Sequence, residues 1–291
     1  MSCNNCGTSQ REVVYRQGVA QQHQIVRCTS CGLMYAYPRG MDSVAHYVAF
    51  GQTGEPMSLQ TPSVIRSFYK LADYEPIGLE LRELLPQGRT LLEIGCHAGV
   101  LLERFRRQGW QVSGVEPDAK AAGFASSHYG LDVSASTLEN CGYQAAAFDA
   151  VVMLHVIEHL DDPAGTVAEI ARVLRPGGIF VVETPVYDTL TYRLLGRRER
   201  NLSCDGHIVF YTAATLRALV ERHGFEVVLE RRVGRTTSVG QLLWNVGVMS
   251  KSKAVQQAIE RLIGALDLRR RGTLYLNLRD MLRIYARKRL T

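Results

Sequence analysis

The stretch that most constrains the fold is LLEIGCHAGVLL, which runs from Leu91 to Leu102. An apolar run ends at a carboxylate, small residues follow, and apolar residues then resume at helical spacing. This order predicts a strand, a tight loop and a helix N-terminus. Such a loop can hold a nucleotide cofactor, because backbone N–H groups at the helix start face the ligand. We therefore expect a parallel, doubly wound sheet with a cofactor at this loop.

The spacing of the small residues excludes two common classes of nucleotide-binding loop. A dinucleotide loop, GxGxxG, would need glycines at positions 95, 97 and 100, where the chain has Gly95, His97 and Val100. A Walker loop is excluded as well, because the segment has no GK followed by Ser or Thr. The loop therefore belongs to another class of cofactor site.

The loop resembles motif I of the class I S-adenosylmethionine-dependent methyltransferases, E/D-x-G-x-G-x-G, with Glu93, Gly95, His97 and Gly99 at its positions. His97 replaces the middle glycine, and histidine adopts left-handed backbone geometry at modest cost. The resemblance implies S-adenosylmethionine as the cofactor. It also implies that the outer glycines let the backbone approach the cofactor's methionine part, and that Glu93 holds loop and cofactor in place.

Further blocks resemble the family in the same order, as far as Pro185. The segment WQVSGVEPD ends at Glu116, 21 residues after Gly95, where the family places an acid that binds both ribose hydroxyls. The segment DVSASTLEN resembles the loop beside the adenine, and FDAVVMLHVIEHLDDP resembles the fourth strand and its loop. The resemblance assigns the following residues to the cofactor: Glu93, Gly95, Cys96, His97, Gly99, Glu116, Pro117, Ser136, Thr137, Leu138 and Leu154.

The segment HVIEH, residues 155–159, carries candidate catalytic groups. It fits the H-x-x-E-H pattern of some zinc peptidases, but it follows a strand directly instead of lying on one helix face. It resembles a block of small-molecule methyltransferases, and the ubiquinone-type O-methyltransferases hold a divalent ion with E-x-x-E-H there. We predict that His155, at the open end of the strand, is catalytic and that Glu158 and His159 brace the loop. A second metal here is the alternative.

The segment DGHIVFYTAATL resembles the family's block before its last helix, where a histidine, here His207, faces the substrate cleft. His207 is a second catalytic candidate, as a base or substrate contact, and a structural hydrogen-bonding role is the alternative. Thr212 is predicted to cap the next helix, which ends near Gly224. Helices inserted at about 231–272 are expected to precede a last antiparallel strand, DMLRIYARKR.

Two CxxCG segments predict a small N-terminal module. Between them, 21 residues separate Cys6 from Cys28 and alternate like a short hairpin. Each CxxC turn directs two thiolates at one ion, which indicates a zinc ribbon with a structural zinc; redox chemistry is the alternative. The predicted zinc ligands are Cys3, Cys6, Cys28 and Cys31.

The predicted fold class is α/β, a Rossmann-like class I methyltransferase sheet with a final antiparallel strand, plus the zinc ribbon. The ribbon is expected at 1–40, a linker with cap helices at 41–87, and the core at 88–291. No apolar run reaches the ~18 residues of a membrane span and the N-terminus lacks a signal-peptide pattern, so we expect a cytoplasmic protein.

The predicted function is transfer of a methyl group to an oxygen of a small molecule or glycan, in surface-polysaccharide or natural-product biosynthesis. An RNA base methyltransferase is the alternative, since some join a Cys-rich module to this core, but the ribbon lacks a dense basic stripe with interleaved aromatics. A non-enzymatic, cofactor-binding scaffold is a third hypothesis. The net charge of +6 suits an anionic partner. The basic clusters 269–271 and 287–289 are expected to be solvated, with an anionic-substrate or peripheral membrane contact as the alternative.

Overall fold

The computed structural model describes residues 2–17, 24–38, 45, 47–48, 71–199, 201–203, 206–240, 242–244, 252–266 and 273–290. The chain divides into two compact units, one formed by residues 1–232 with 280–291 and the other by residues 233–279. All of the predicted site residues belong to the first unit.

Eleven strands and seven helices are named here among the described residues. The strands are β1 Arg11–Tyr15, β2 Gln24–Cys28, β3 Met34–Tyr37, β4 Thr90–Ile94, β5 Gln111–Val115, β6 Asp132–Ser134, β7 Phe148–Leu154, β8 Leu174–Pro185, β9 Val209–Phe210, β10 Phe225–Ser238 and β11 Thr273–Lys288. The helices are α1 Glu75–Leu84, α2 Val100–Arg107, α3 Ala119–Tyr129, α4 Pro163–Val173, α5 Leu190–Leu195, α6 Ala213–Arg222 and α7 Lys253–Ala265.

Seven strands form the main sheet, in the order β10-β11-β8-β7-β4-β5-β6. Strand β4 pairs in parallel with both β5 and β7, so the strand order reverses on its two sides. A crevice opens at the carboxyl ends of the strands at such a reversal, which is where α/β sheets bind ligands. Strand β11 runs antiparallel to β8, with Tyr285 opposite Val181. The α/β class with an antiparallel end strand is therefore confirmed.

The central strands are mostly apolar because helices cover both faces of the sheet. Leu91 and Leu92 on β4 are fully buried, although they point to opposite faces, and so are Val151 and Val152 on β7. These strands consequently give the residues that follow them a fixed position at the edge of the crevice.

A second sheet joins the N-terminal segment to the core, in the order β1-β2-β3-β9. The predicted hairpin is present as β1 and β2, with Val13 opposite Val26. Neither strand β3 nor its pairing with β9 was predicted from the sequence. Strand β9 lies between His207 and α6, so the cysteine-bearing module, defined as residues 2–17 and 24–38, packs directly on the core.

Strand β10 continues to Ser238, into the start of the helical insertion that the sequence predicts at about 231–272, because this β-branched segment pairs favourably in a sheet. Helix α7 lies within the predicted insertion, and residues 241, 245–251 and 267–272 lie outside the described residues. Among the helices that the structure describes, none has the length and apolarity to cross a membrane.

The structure describes one of the two basic clusters of the sequence. Residues 269–271 lie outside the described part of the chain. In the cluster 287–289, Arg287 donates to the carbonyls of Gly177 and Leu84, and Lys288 donates to the carbonyl of Leu174. Two of its three cations therefore bind the protein's own backbone, which differs from the prediction of a solvated face.

Arg283 of β11 is expected to be a main source of stability at the open edge of the sheet. Its Nε lies 2.7 Å from Oε2 of Glu183, and the two side chains are 2% and 1% exposed. Arg283→Ala leaves a buried carboxylate without its partner, so the free energy of unfolding in urea should fall by about 3–5 kcal/mol. Arg289→Ala, an exposed control, should change it by less than ~0.5 kcal/mol. Equal unfolding midpoints for the two variants would contradict the expectation.

Candidate cofactor and acceptor site

The loop between β4 and α2 contains three residues with positive φ: Gly95 at 71°, His97 at 47° and Gly99 at 72°. A Cβ atom on Gly95 would lie 2.5 Å from Cγ2 of Val156, so this position has no room for a side chain. His97 has the left-handed geometry that histidine tolerates. Because Val156 follows β7, its contact with Gly95 brings the loops after β4 and β7 together.

Glu116 follows β5 and is anchored by this loop. Its Oε2 accepts a hydrogen bond from the His97 N–H at 2.9 Å, and its Oε1 accepts one from the Asp118 N–H at 2.8 Å. Burial raises the pKa of Glu116 to about 7, against the lowering effect of these two bonds. A carboxylate oxygen accepts two hydrogen bonds, so the two backbone bonds leave Glu116 able to accept further hydroxyl groups.

Glu93 and Cys96 are buried near Glu116. Burial, and then the charge of Glu116, raises the pKa of Glu93 well above its ordinary value, and burial likewise raises the pKa of the Cys96 thiol. Among the described residues, Oε2 of Glu93 is buried and accepts no hydrogen bond. A buried polar atom without a partner costs ~1–3 kcal/mol, so this oxygen is a candidate contact for a bound ligand.

Tyr47 contacts this site although it is not among the residues that the resemblance assigns to the cofactor. Its side chain is hydrogen-bonded to Glu116, and burial followed by the charges of Glu116 and Asp118 raises the pKa of Tyr47. It lies 69 positions before Glu116, among several other tyrosines, so no local pattern distinguishes it.

The remaining residues assigned to the cofactor lie just beyond β5, beyond β6 or at the end of β7. Leu154 is the last residue of β7, and Pro117 directly follows Glu116. Ser136 and Thr137 are half-buried. Leu138 is 2% exposed and belongs to the hydrophobic core, so its side chain packs into the protein.

His155 is held between two buried carboxylates. Its Nε2 lies 3.0 Å from Oε1 of Glu183, and its Nδ1 lies 3.6 Å from Oε1 of Glu158. The backbone is left-handed there, with φ 56°, which turns the ring away from the line of β7. Its side chain is 29% exposed, against 1% for Glu183 and 2% for Glu158. His155 is therefore the group of this set that a molecule in the crevice can reach.

Glu158, His159 and His207 form a compact cluster beside His155, named here the Glu158 cluster. Their ligand atoms all lie within 4.8 Å of one another, and the two histidine rings meet edge to face at 4.7 Å. Oε2 of Glu158 accepts a hydrogen bond from Thr184, whereas Oε1 is buried without a hydrogen-bond partner among the described residues. Burial opposes ionisation, but His155 and the positive potential of the histidines lower the pKa of Glu158 to about 2.

Hydrogen bonds to backbone carbonyls fix the tautomers of both histidines in this cluster. His207 Nδ1 donates to the Asn201 carbonyl at 2.9 Å, and His159 Nδ1 donates to the Gly206 carbonyl at 2.8 Å. Burial lowers the pKa of His207 to about 4, so its ring is neutral at pH 7. Nε2 of His207 lies 4.0 Å from Oε1 of Glu158.

The peptidase interpretation of HVIEH is excluded by the local structure. Ile157–His159 form a single 3-10 turn, so the two histidines of the motif do not lie on one α-helical face. His207 joins this turn from a segment 48 positions beyond His159, which the sequence analysis did not predict. Thr212 caps α6 as predicted, because its hydroxyl accepts the Thr215 N–H at 3.2 Å.

The four predicted zinc ligands converge at the N-terminal module. Sγ of Cys3 lies 3.6 Å from Sγ of Cys31, and Sγ of Cys6 lies 3.4 Å from Sγ of Cys28. All four sulfur atoms lie within 4.8 Å of one another, and all four thiols are free. Positive φ at Gly7 and Gly32 closes the two turns that carry them.

Comparison with known proteins identifies the core. The chain resembles the ubiquinone biosynthesis O-methyltransferase of a Bradyrhizobium species at 38% identity over 102 residues, which is 33% of this chain and 40% of that protein. The corresponding enzyme of Aromatoleum aromaticum is 39% identical over 97 residues, covering 31% of this chain and 42% of that protein. The matches thus span less than half of these relatives.

Solved structures agree on the fold. A SAM-dependent methyltransferase from Thermotoga maritima has a TM-score of 0.53 at 20% identity, covering 85% of this chain and 100% of that one. A protein from Pyrococcus horikoshii has a TM-score of 0.54 at 14% identity, covering 83% and 99%. A family model for a methyltransferase domain matches residues 66–230, more than half of the chain. The chain belongs to the methyltransferase domain family and has the class I fold of S-adenosylmethionine-dependent methyltransferases.

Proposed function

We propose that the protein transfers the methyl group of S-adenosylmethionine to an oxygen atom of a small molecule. The observation that carries this proposal is the Glu158 cluster, which lies next to the cofactor loop through the contact of Val156 with Gly95. The O-methyltransferase relatives support the chemistry. The matches span less than half of these relatives, so they do not identify the methyl acceptor, and glycans stay among the candidate acceptors. A cytoplasmic location is part of the proposal and rests on the sequence.

The residues after β4 and β5 fit the cofactor. Ionised Glu116 accepts two backbone N–H groups and the Tyr47 hydroxyl, which leaves it an accepting direction for a ribose hydroxyl. The unpaired Oε2 of Glu93 suits a donor on the cofactor. S-adenosylmethionine supplies an electrophilic methyl group on a sulfonium, so the protein's task is to orient the acceptor and remove its proton.

The residues of the Glu158 cluster fit a divalent ion. Two imidazoles and one carboxylate converge, and the Nδ1–H of each imidazole donates to a backbone carbonyl, which is how metal-bound histidines are oriented. His155 occupies the position of the first acid in E-x-x-E-H, and it is hydrogen-bonded to Glu183. His207 would supply the third ligand in its place. A bound ion would lower the pKa of an acceptor hydroxyl.

His155 is the proton acceptor in this proposal. Glu183 fixes its Nε2, and its Nδ1 is close enough to Glu158 for that carboxylate to stabilise an imidazolium. The acceptor oxygen forms a bond to the methyl carbon while the carbon–sulfur bond breaks, leaving S-adenosylhomocysteine. The acceptor's proton passes to Nδ1 of His155.

The cysteines fit one structural zinc ion. Zinc–sulfur bonds of about 2.3 Å place tetrahedral sulfurs ~3.8 Å apart, near the two Sγ separations of 3.6 and 3.4 Å. Four thiolates leave no open coordination position, so this zinc would take no part in catalysis.

RNA base methylation is the competing function, and the module's basic residues count against it. Arg11 stacks on Tyr37 with its Cζ 3.8 Å from the ring centroid, and Arg27 pairs with Glu12 at 3.3 Å. These cations serve contacts within the module, so they do not form a dedicated phosphate-binding stripe.

Transfer of radiolabelled methyl groups tests the function. The protein and labelled S-adenosylmethionine are added to a fractionated cell extract, and label is counted in small metabolites, glycans, RNA and protein. We expect label in the small-molecule fraction. The labelled methyl group should resist hydrolysis by base, as the methyl group of an ether does. Label confined to RNA would favour the competing function, and cofactor binding without transfer would favour a scaffold.

Glu116→Ala should weaken the binding of S-adenosylhomocysteine by about 1.5–3 kcal/mol, because hydrogen bonds to a charged group are lost. Since burial raises the pKa of Glu116 to about 7, lowering the pH through that value protonates the Glu116 carboxylate and should also weaken the binding of S-adenosylhomocysteine. Titration calorimetry measures both effects. Glu116→Gln is the matched control, and its affinity should lose this pH dependence. Unchanged affinity in Glu116→Ala would exclude Glu116 as the ribose ligand.

Glu158→Gln should weaken the binding of Mn²⁺ by at least about 10-fold, because it removes the only anionic ligand of the cluster. Binding is measured by calorimetry or by the loss of the free Mn²⁺ signal in electron paramagnetic resonance. Glu169→Gln removes a carboxylate that pairs with Arg172 on α4 and is the charge-matched control. Equal affinities in the two variants, or no Mn²⁺ binding by the unmodified protein, would refute the divalent site.

A further inference from the structure

The N-terminal module contacts the Glu158 cluster through backbone hydrogen bonds. The Ala36 N–H of β3 donates to the Ile208 carbonyl at 2.9 Å, and the Ile208 N–H donates to the Glu158 carbonyl at 2.9 Å. Ile208 therefore links the module to the residue that carries the central carboxylate, and it directly follows His207. The β3–β9 ladder continues this link, with Tyr35 opposite Val209.

The first cysteine turn makes two further contacts with the same region. Asn4 and Asn5 are the two residues between Cys3 and Cys6. Nδ2 of Asn4 donates to the carbonyl of Asp161, which lies two positions after His159. Nδ2 of Asn5 donates to the carbonyl of Thr215 in the first turn of α6 at 3.2 Å, and Asn5 is only 3% exposed.

These contacts hold both of the segments that carry the residues of the Glu158 cluster. One segment is the turn and loop 157–162, held by Asn4 and through Ile208. The other is 207–215, held by β3 and by Asn5. The turn between Cys3 and Cys6 carries both asparagines, so the direction of the Asn4 and Asn5 side chains depends on the geometry of that turn.

The packing is consistent with this link. Cys3, Cys28 and Tyr35 of the module share one hydrophobic cluster with Ile157 and Ile208 of the core. The hydrogen bonds of Glu116 instead come from the loop after β4 and from the residues after β5. The module thus supports the acceptor end of the site, and the strand ends β4 and β5 support the cofactor end.

We propose that the four-cysteine turn pair is a positioning element for the acceptor end of the site: Asn4, Asn5 and Ala36 hold Glu158, His159 and His207 in register, and metal loss at the cysteines releases them. Opening or oxidation of the turns would then disable the acceptor end while the cofactor still binds. This inference goes beyond the proposed methyl transfer and does not depend on the identity of the acceptor.

Hydrogen exchange read by mass spectrometry, together with calorimetry of S-adenosylhomocysteine, tests the inference in the full chain. Zinc-loaded protein is compared with protein whose metal has been removed under reducing conditions. Peptides covering 155–162 and 207–212 should exchange at least about ten-fold faster without metal, because local opening loses several hydrogen bonds. The peptide covering 90–99 and the affinity for S-adenosylhomocysteine should change less than about two-fold.

Asn5→Ala tests the same link without removal of the metal. It should retain about one zinc per chain and yet accelerate exchange in 207–212, whereas Gln10→Ala, an exposed change in the same module, should not. The ring Nδ1–H signals of His159 and His207 in the ¹⁵N spectrum should weaken in Asn5→Ala, a change that a general loss of stability would not confine to these two rings.

Two results would overturn the inference. One is unchanged exchange in 155–162 and 207–212 after metal removal and in Asn5→Ala. The other is uniformly faster exchange with loss of S-adenosylhomocysteine binding, which would make the module a determinant of the whole fold. Neither readout uses methyl transfer, so failure here is distinguishable from failure of the proposed function.

Discussion

The reversal of strand order at β4 is the constraint on which the rest of the site depends. Because β4 pairs in parallel with β5 on one side and β7 on the other, the loops after all three strands meet at one edge. The absent side chain of Gly95 lets Val156 pack against the cofactor loop. The residues assigned to the cofactor and the Glu158 cluster are therefore neighbours as a direct result of backbone topology.

The crevice edge concentrates charge that would be costly without partners. Glu183 is neutralised by Arg283 and also holds His155, so a stabilising ion pair fixes a catalytic candidate. Glu158 has no such arginine within the described residues; Thr184 and the surrounding histidines stabilise its charge, and one oxygen is left unpaired. We interpret the first carboxylate as structural support and the second as a group kept ready for a ligand.

Local patterns predicted the elements whose causes are local. The strand–loop–helix around Gly95, the cap at Thr212 and the cysteine turns each follow from residues a few positions apart. The partners that complete the site were not predictable in this way. Tertiary packing alone brings His207 to Glu158, Tyr47 to Glu116 and Arg283 to Glu183. The sequence of the first CxxC turn likewise gives no sign that Asn4 and Asn5 contact the core. At the start of the expected insertion, residues 231–238 continue strand β10, because pairing within the sheet depends on partner strands that are distant in sequence.

The most direct test of the central claim is a crystal structure of the protein with S-adenosylhomocysteine and Mn²⁺, with sulfur and manganese located by their anomalous scattering. We predict that the ribose hydroxyls bind Glu116, that Mn²⁺ lies between Glu158, His159 and His207, and that the cofactor sulfur faces this ion across the crevice. A cofactor bound at the predicted loop with its sulfur directed away from the Glu158 cluster would contradict the claim that this cluster is the acceptor end of the site.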